Sequence, residues 1–259
     1  MEFLVERKKA STALGRSKLP GIDYTLNPYI GCVHACIYCY ARLYCDPRIG
    51  RNWGKVVVVK ENIAEVLARE IARKKSGVVG LSTITDAYQN IEAREGITRR
   101  LLEILLENNF KVSIQTKSSL VLRDLDVICK KKELVDVGFT ITTLDKKLAK
   151  LVEPMASSPS ERVRALEEIS AEGIRTWIFL GPIIPGISED SFGEIVEIAK
   201  ATGSVVYYDR FRVKTFMNSG AVRELAERAR KANWQKITDE LKELCRAKDI
   251  TLIPGFGDF

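Results

Sequence analysis

The strongest constraint on this chain is the alternation of short β-rich runs with amphipathic helical stretches. Runs at Val78–Thr85, Lys111–Thr116, Val135–Ile141, Arg175–Leu180 and Val205–Asp209, with an earlier extended stretch entering Tyr29, read as strands. Between them, Ile63, Val66, Leu67 and Ile71, then Leu101, Leu102 and Leu105, then Val163, Leu166 and Ile169 recur at helical spacing, giving each helix one apolar face. Strands separated by helices of this length build βαβ units and therefore a parallel sheet. Six such units predict an α/β fold, an open or incomplete (β/α)6 barrel, with a doubly wound sheet as the alternative. The segment Cys45 to Lys60 reads as a loop and short strand inserted before the first regular helix, and residues 221–259 as a helical extension ending in a short strand and GFGDF. No linker, repeat or low-complexity segment divides the sequence, so one domain spanning residues 1–259 is expected.

Composition then excludes classes of function. With 46% hydrophobic and 29% charged residues the chain has the material for a core. The longest aliphatic run, Val56–Val59, is far too short to cross a membrane. Glu2, Glu6, Arg7, Lys8 and Lys9 occupy the stretch where a secretory signal needs apolar residues, which predicts a cytoplasmic protein. The single histidine, His34, excludes three-His zinc and two-His iron sites, and any hydrolase triad would have to use it. The net charge of +7 favours anionic partners.

Six cysteines in a chain expected to stay in a reducing compartment point to metal binding or catalysis rather than disulfides. Cys32, Cys36 and Cys39 stand in a C-x3-C-x2-C spacing within GCVHACIYCYAR. Such a loop wraps three thiolates around an iron-sulfur cube, whereas a ferredoxin-type carrier needs a fourth. Cys45, six residues past Cys39, would point away from that face, and Cys129 and Cys245 fall in helical patterns as core or surface thiols. A structural zinc site from the three cysteines and His34 is cramped by the two-residue spacings, which leaves His34 as a solvated loop residue.

Three ligands leave one iron open to a chelator, and with an aromatic, Tyr38, before the last cysteine the loop resembles that of the radical S-adenosylmethionine (SAM) superfamily. Beyond the loop, TDAYQ, QTKS, GFTITTLD, VEPMASSPSERVRAL and EGIRTWIFLGPIIPG make the chain similar to the spore photoproduct lyase branch and its photolyase-like relatives, over about Asn27 to Gly186. The resemblance implies a TIM-like incomplete barrel with a cluster loop over residues 27–45. It implies a 4Fe-4S cluster and SAM as cofactors. SAM is cleaved reductively to a 5'-deoxyadenosyl radical that abstracts hydrogen from substrate.

Carried over by position, Cys32, Cys36 and Cys39 match the cluster ligands, with Tyr38 and Tyr40 as the aromatics beside them. Lys117 matches a lysine on the SAM carboxylate, and Thr85 and Thr140 match hydroxyls on its methionyl group. Gly181, Pro182 and Ile183 open the segment, running to Gly186, whose backbone receives adenine. A cysteine that returns hydrogen to the lyase product is replaced here by Thr83, a far poorer donor, which puts repair of spore photoproduct by that route in doubt. Asp86, Tyr88 and Glu92 follow the second strand, with substrate contact and helix capping both open. Glu153 matches a family position of open role and reads as a loop-fixing carboxylate.

Arg123, Asp124 and the stretch Tyr207, Tyr208, Asp209, Arg210, Phe211, Arg212 are further candidates for substrate contact, the stretch reading equally as an edge strand. Together these readings predict a lyase-like radical SAM enzyme acting on a nucleic acid base or nucleotide, with an electron donor such as ferredoxin or flavodoxin. The alternatives are a radical SAM enzyme for a peptide or small molecule, or a non-catalytic zinc or iron-sulfur module.

Overall fold

The computed structural model describes residues 3 to 255. The N-terminal third contributes β1 (Leu4–Lys8), β2 (Gly15–Arg16), β3 (Tyr24–Leu26), β4 (Tyr29–Ile30), α1 (Pro47–Arg51), β5 (Val56–Lys60), α2 (Ile63–Ile71) and β6 (Val78–Leu81). The repeating part follows as α3 (Glu92–Glu95), α4 (Ile97–Glu107), β7 (Lys111–Thr116), α5 (Leu125–Cys129), β8 (Val135–Thr140), α6 (Lys146–Val152), α7 (Pro159–Ala171), β9 (Arg175–Ile183), α8 (Phe192–Thr202) and β10 (Val205–Arg210). The extension is α9 (Ala221–Lys231), α10 (Trp234–Ala247) and β11 (Leu252–Pro254); Phe256 to Phe259 of the GFGDF segment lie outside the described residues.

The main sheet runs β11-β10-β9-β8-β7-β6-β3-β2 and does not close on itself. Every neighbouring pair from β3 to β11 is parallel, and only β2 pairs antiparallel, with β3. This is the expected α/β incomplete barrel. The stretch entering Tyr29 supplies the first barrel position as β3, and β11 adds a seventh parallel strand. Burial explains the helices: Ile63, Val66, Leu67 and Ile71 of α2, and Leu101, Leu102 and Leu105 of α4, all face the core. On α7, Leu166 and Ile169 are buried and Val163 packs partly against them.

The boundaries differ in informative places. The second predicted strand stops at Leu81 because Ser82 takes a φ of 66°, turning the chain so that Ser82 to Asp86 cross the barrel mouth. The fifth continues past Leu180, so that Gly181, Pro182 and Ile183 lie in β9. β10 is an inner strand between β9 and β11, not an edge. The inserted Cys45–Lys60 segment is α1 and β5, and β5 pairs with β1 and β4 in a separate three-stranded sheet. Among the described residues no helix is long and apolar enough to cross a membrane.

Candidate active site

The cysteine loop lies over the C-terminal ends of the barrel strands. Gly31 opens it at a φ of 82°, where a Cβ would stand 2.7 Å from the Val56 carbonyl oxygen, so only glycine fits. Cys32 and Cys36 are buried and Cys39 is half-buried, and none is in a disulfide. The loop is pinned from several sides. Gln89 accepts from the Val33 amide at 2.8 Å, the Thr85 hydroxyl donates to the Gly31 carbonyl at 2.6 Å, and the Ile37 amide donates to the Val152 carbonyl at 3.0 Å. Cys36 and Tyr38 join Ile184, Val222, Leu225 and Ala226 in a second apolar cluster, so α9 walls the loop.

Asp86 is the hub beneath it. Its carboxylate accepts from the Thr116 hydroxyl at 2.8 Å and from the Lys117 and Tyr88 amides, each at 2.9 Å, and stands 3.3 Å from His34 Nδ1. Burial alone would raise its pKa, but the facing His34 and these hydrogen bonds hold it at about 2. His34, expected in solvent, is therefore buried at 1% exposure. Tyr88 is fully buried as well, where burial and then the Asp124 carboxylate raise its phenol. Asp86 braces the loop, whereas the Tyr88 side chain is buried beside Asp124, Glu92 and Arg123, away from a substrate.

A second buried network supports Tyr38. Its phenol donates to Glu153, which also accepts from the Thr142 hydroxyl at 3.2 Å and pairs with Arg162 at 2.5 Å. Burial opposes ionisation of Glu153, yet Arg162 and then Lys117 hold its carboxyl below the usual range. Lys117 sits 6.0 Å from the Tyr38 ring centroid. Burial would lower its pKa, but the facing groups, Cys36 first, then Glu153, Cys39 and Asp86, raise it, so the ammonium stays charged beside the loop.

Thr85 spends its hydroxyl on Gly31 and receives Gln89 at 3.0 Å, whereas Thr140 is buried and receives the Gln115 amide at 3.1 Å. Tyr40 is 46% exposed and donates to the Thr83 carbonyl at 2.8 Å, tying the loop to the turn after β6. Arg123 is not free for substrate: it pairs with Asp124 at 2.8 Å and Glu92 at 2.7 Å, and Glu92 in turn receives the Tyr29 phenol. In the 207–212 stretch Tyr208 packs against the core, Phe211 is buried, and Arg210 and Arg212 are exposed. Cys45 donates back to the Arg42 carbonyl at 3.5 Å, and Cys245 is buried in the core.

These residues suit an iron-sulfur cube. Burial pushes the Cys36 thiol up to about 12 and raises the Cys32 thiol well above its ordinary value, so both need a cation to ionise. Among the described residues no three His, Cys, Asp or Glu groups converge on a single ion. A cube takes one thiolate on each of three irons, so its ligands stand farther apart than those of one ion. His34, which a zinc tetrahedron would require, is turned to Asp86, and its Nε2, like the buried Ser82 hydroxyl, has no hydrogen-bond partner among the described residues.

Gln89 and Arg162, which sequence reasoning left without roles, are the residues that fix the loop; their only signal was membership of the TDAYQ and SPSERVRAL segments.

Comparison with known proteins agrees with this geometry. An uncharacterized protein of Methanocaldococcus jannaschii is 32% identical over 256 residues, covering 94% of each chain. An uncharacterized protein of Mycobacterium tuberculosis is 33% identical over 197 residues, 71% of this chain and 58% of its own. Spore photoproduct lyase, solved with bound AdoMet and dinucleoside spore photoproduct, superposes at a TM-score of 0.71 over 98% of this chain and 81% of that one, at 14% identity. SuiB of Streptococcus suis bound to S-adenosylmethionine gives 0.58 over 89% and 49%, at 13% identity. These two likenesses concern the fold. The Radical SAM superfamily model matches residues 26–199, most of the chain and all of the loop, and the protein accordingly belongs to the radical SAM superfamily, an enzyme class that works with a 4Fe-4S cluster and SAM.

Proposed function

We propose that this radical SAM enzyme acts on a nucleic acid base or nucleotide, with Cys32, Cys36 and Cys39 as the cluster ligands. The observation that carries the assignment of the loop is geometric: Cys32, Cys36 and Cys39 lie free of disulfides in one pinned loop, with the Lys117 ammonium 6.0 Å from the Tyr38 ring at the mouth of β7. When bound, the reduced cluster and SAM supply a 5'-deoxyadenosyl radical. Lys117 is then the partner of the SAM carboxylate, Glu153 and Arg162 fix the Tyr38 ring, and Asp86 fixes the backbone of Lys117. Thr140, at the end of β8, and the Gly181–Ile183 backbone, at the end of β9, would take the methionyl and adenine contacts that the resemblance implies. Thr85 acts through the Gly31 carbonyl instead. Tyr40, exposed and anchored on Thr83, is the aromatic left facing an incoming substrate.

The polymer reading draws on the +7 charge, on the exposed Arg210 and Arg212, and on a fold shared with an enzyme solved with a dinucleoside photoproduct. Thr83 makes simple lesion repair a poor expectation, since an O–H bond yields hydrogen much less readily than a thiol.

Anaerobic reconstitution, iron counting and SAM cleavage by wild type and single cysteine-to-alanine variants test the cluster. Iron should be lost at Cys32, Cys36 and Cys39 and kept at Cys129 and Cys245; zinc alone would overturn the assignment. Deuterium transfer into 5'-deoxyadenosine from labelled DNA, RNA, peptide and small-molecule fractions tests the substrate. Transfer from peptide or small molecules alone would replace the nucleic-acid reading, and an electron donor of the ferredoxin or flavodoxin type is expected to support it.

A further inference from the structure

The two faces of the main sheet differ in their exposure to water. On one, Val112, Ile114, Val137, Phe139, Ile178 and Val206 are buried beneath the helices. On the other, Ser113, Gln115, Asp136, Trp177, Phe179 and Tyr207 are only half-buried, although each belongs to an inner strand. Side chains alternate along a strand, and residues paired in a parallel ladder share a face. The register pairs Ser113 with Asp136, Gln115 with Gly138 and Trp177, and Thr140 with Phe179, which Tyr207 also flanks. The half-buried set is thus the concave lining of the open barrel, reaching from Thr140 near the loop down to Asp136, about 13 Å at about 3.3 Å per residue.

Midway along this lining sits Trp177. A Cβ at Gly138 would stand 2.1, 2.2 and 2.4 Å from three atoms of the indole ring system, so the ring rests against a bare backbone that only glycine allows. Its plane is fixed by Nε1 donating to Asp136 at 2.8 Å and by an edge-to-face contact with Tyr207 at 5.3 Å. Asp136 also accepts from Ser113 at 2.7 Å and pairs with Arg175 at 3.3 Å, so its charge is spent in orienting the indole. Above it the Phe179 ring lies over Gly181, where a Cβ would come within 2.3 Å. Gln115, held by one bond to Thr140, supplies a neutral amide edge at the level of the indole.

We propose that this hollow is a stacking pocket for one unpaired nucleobase, with the Trp177 indole as its floor and Gln115 as the group that meets the base edge. This rests on the nucleic-acid reading and narrows it: the substrate enters as a single extruded or single-stranded nucleotide, since a paired base cannot reach a floor two residues, or about 7 Å, below the mouth. A flat aromatic surface with a neutral amide beside it suits a planar, uncharged heteroaromatic ring.

The test uses the reconstituted enzyme, a fluorescein-labelled homothymidine strand, and the same strand with abasic residues. The intact strand should bind about 5- to 100-fold more tightly than the abasic one and quench tryptophan emission saturably. Trp177→Leu should abolish both the preference and the quenching. Gly138→Ala, which drives the indole off its seat, should do the same if its melting curve shows a folded protein, and Trp177→Leu decides if it does not. Equal binding of both strands without quenching would overturn the pocket while leaving the nucleic-acid reading intact. Failure of both strands to bind at low salt would overturn that reading, and the pocket with it.

Discussion

Arg162 reaches from α7 to within 2.5 Å of Glu153 at the end of α6, and both side chains are 2% exposed or less. The pair is the rigid footing on which the Tyr38 phenol rests. Replacing one member strands the other charge in the interior, which costs about 3 to 5 kcal/mol. Glu153→Gln should therefore lower the melting temperature sharply, and the double variant Glu153→Gln, Arg162→Met should recover part of the loss. Thermal melts of wild type, Glu153→Gln, Arg162→Met and the double variant check this, and additive losses in the double variant would contradict it.

Asp86 predicts a particular acid sensitivity. Its pKa falls from an ordinary value of 3.8 to about 2 in the folded protein. A depressed pKa stabilises the fold above the unfolded value and loses that contribution as pH drops through the folded one. Asp86 should thus contribute about 2 kcal/mol near neutrality, fading between about pH 4 and pH 2. In denaturant titrations the gap between wild type and Asp86→Asn should narrow across that window; a gap independent of pH would show that the aspartate acts by shape alone.

Lys117→Ala should leave the cluster assembled and weaken SAM binding, because its ammonium is proposed to meet a carboxylate rather than iron. Loss of a charge-assisted bond costs about 1.5 to 3 kcal/mol, or roughly ten- to a hundredfold in affinity. Anaerobic titration with SAM, alongside iron counting, separates the two effects. Unchanged affinity would remove Lys117 from the SAM site.

If Arg210 and Arg212 neutralise phosphates, DNA or RNA binding should weaken with salt, and replacing either by alanine should shallow the log–log slope by about one. Anisotropy across a salt series measures it. A slope the same in both variants as in wild type would place the polymer elsewhere on the surface.

Much of this was readable in the sequence because the relevant signals are local. Lys111–Thr116 is a strand as expected, and the apolar stripes of α2 and α4 are buried as periodicity required. The cysteine spacing alone singled out the loop. What escaped is pairing at a distance. His34 looked like a solvated loop residue because nothing near it announces Asp86, and Arg123 looked available because Glu92 and Asp124 meet it only after folding. Strand ends were misread where backbone geometry overrides composition: Ser82 turns the chain with β-forming residues still to come, and Gly181 and Pro182 remain extended. Arg162 is the sharpest case, a long cation on the buried side of an amphipathic helix, which no periodicity rule would place there without Glu153.

The apolar contact of α9 with Cys36 and Tyr38 ties the two ends of the chain into one cooperative unit. The superfamily match stops at residue 199, so a fragment cut there would keep Cys32, Cys36, Cys39 and Lys117 yet leave that side of the loop open to water. Fraying of α9 should therefore loosen the Cys36–Tyr38 side of the loop first, while Val33, held by Gln89, stays protected from exchange.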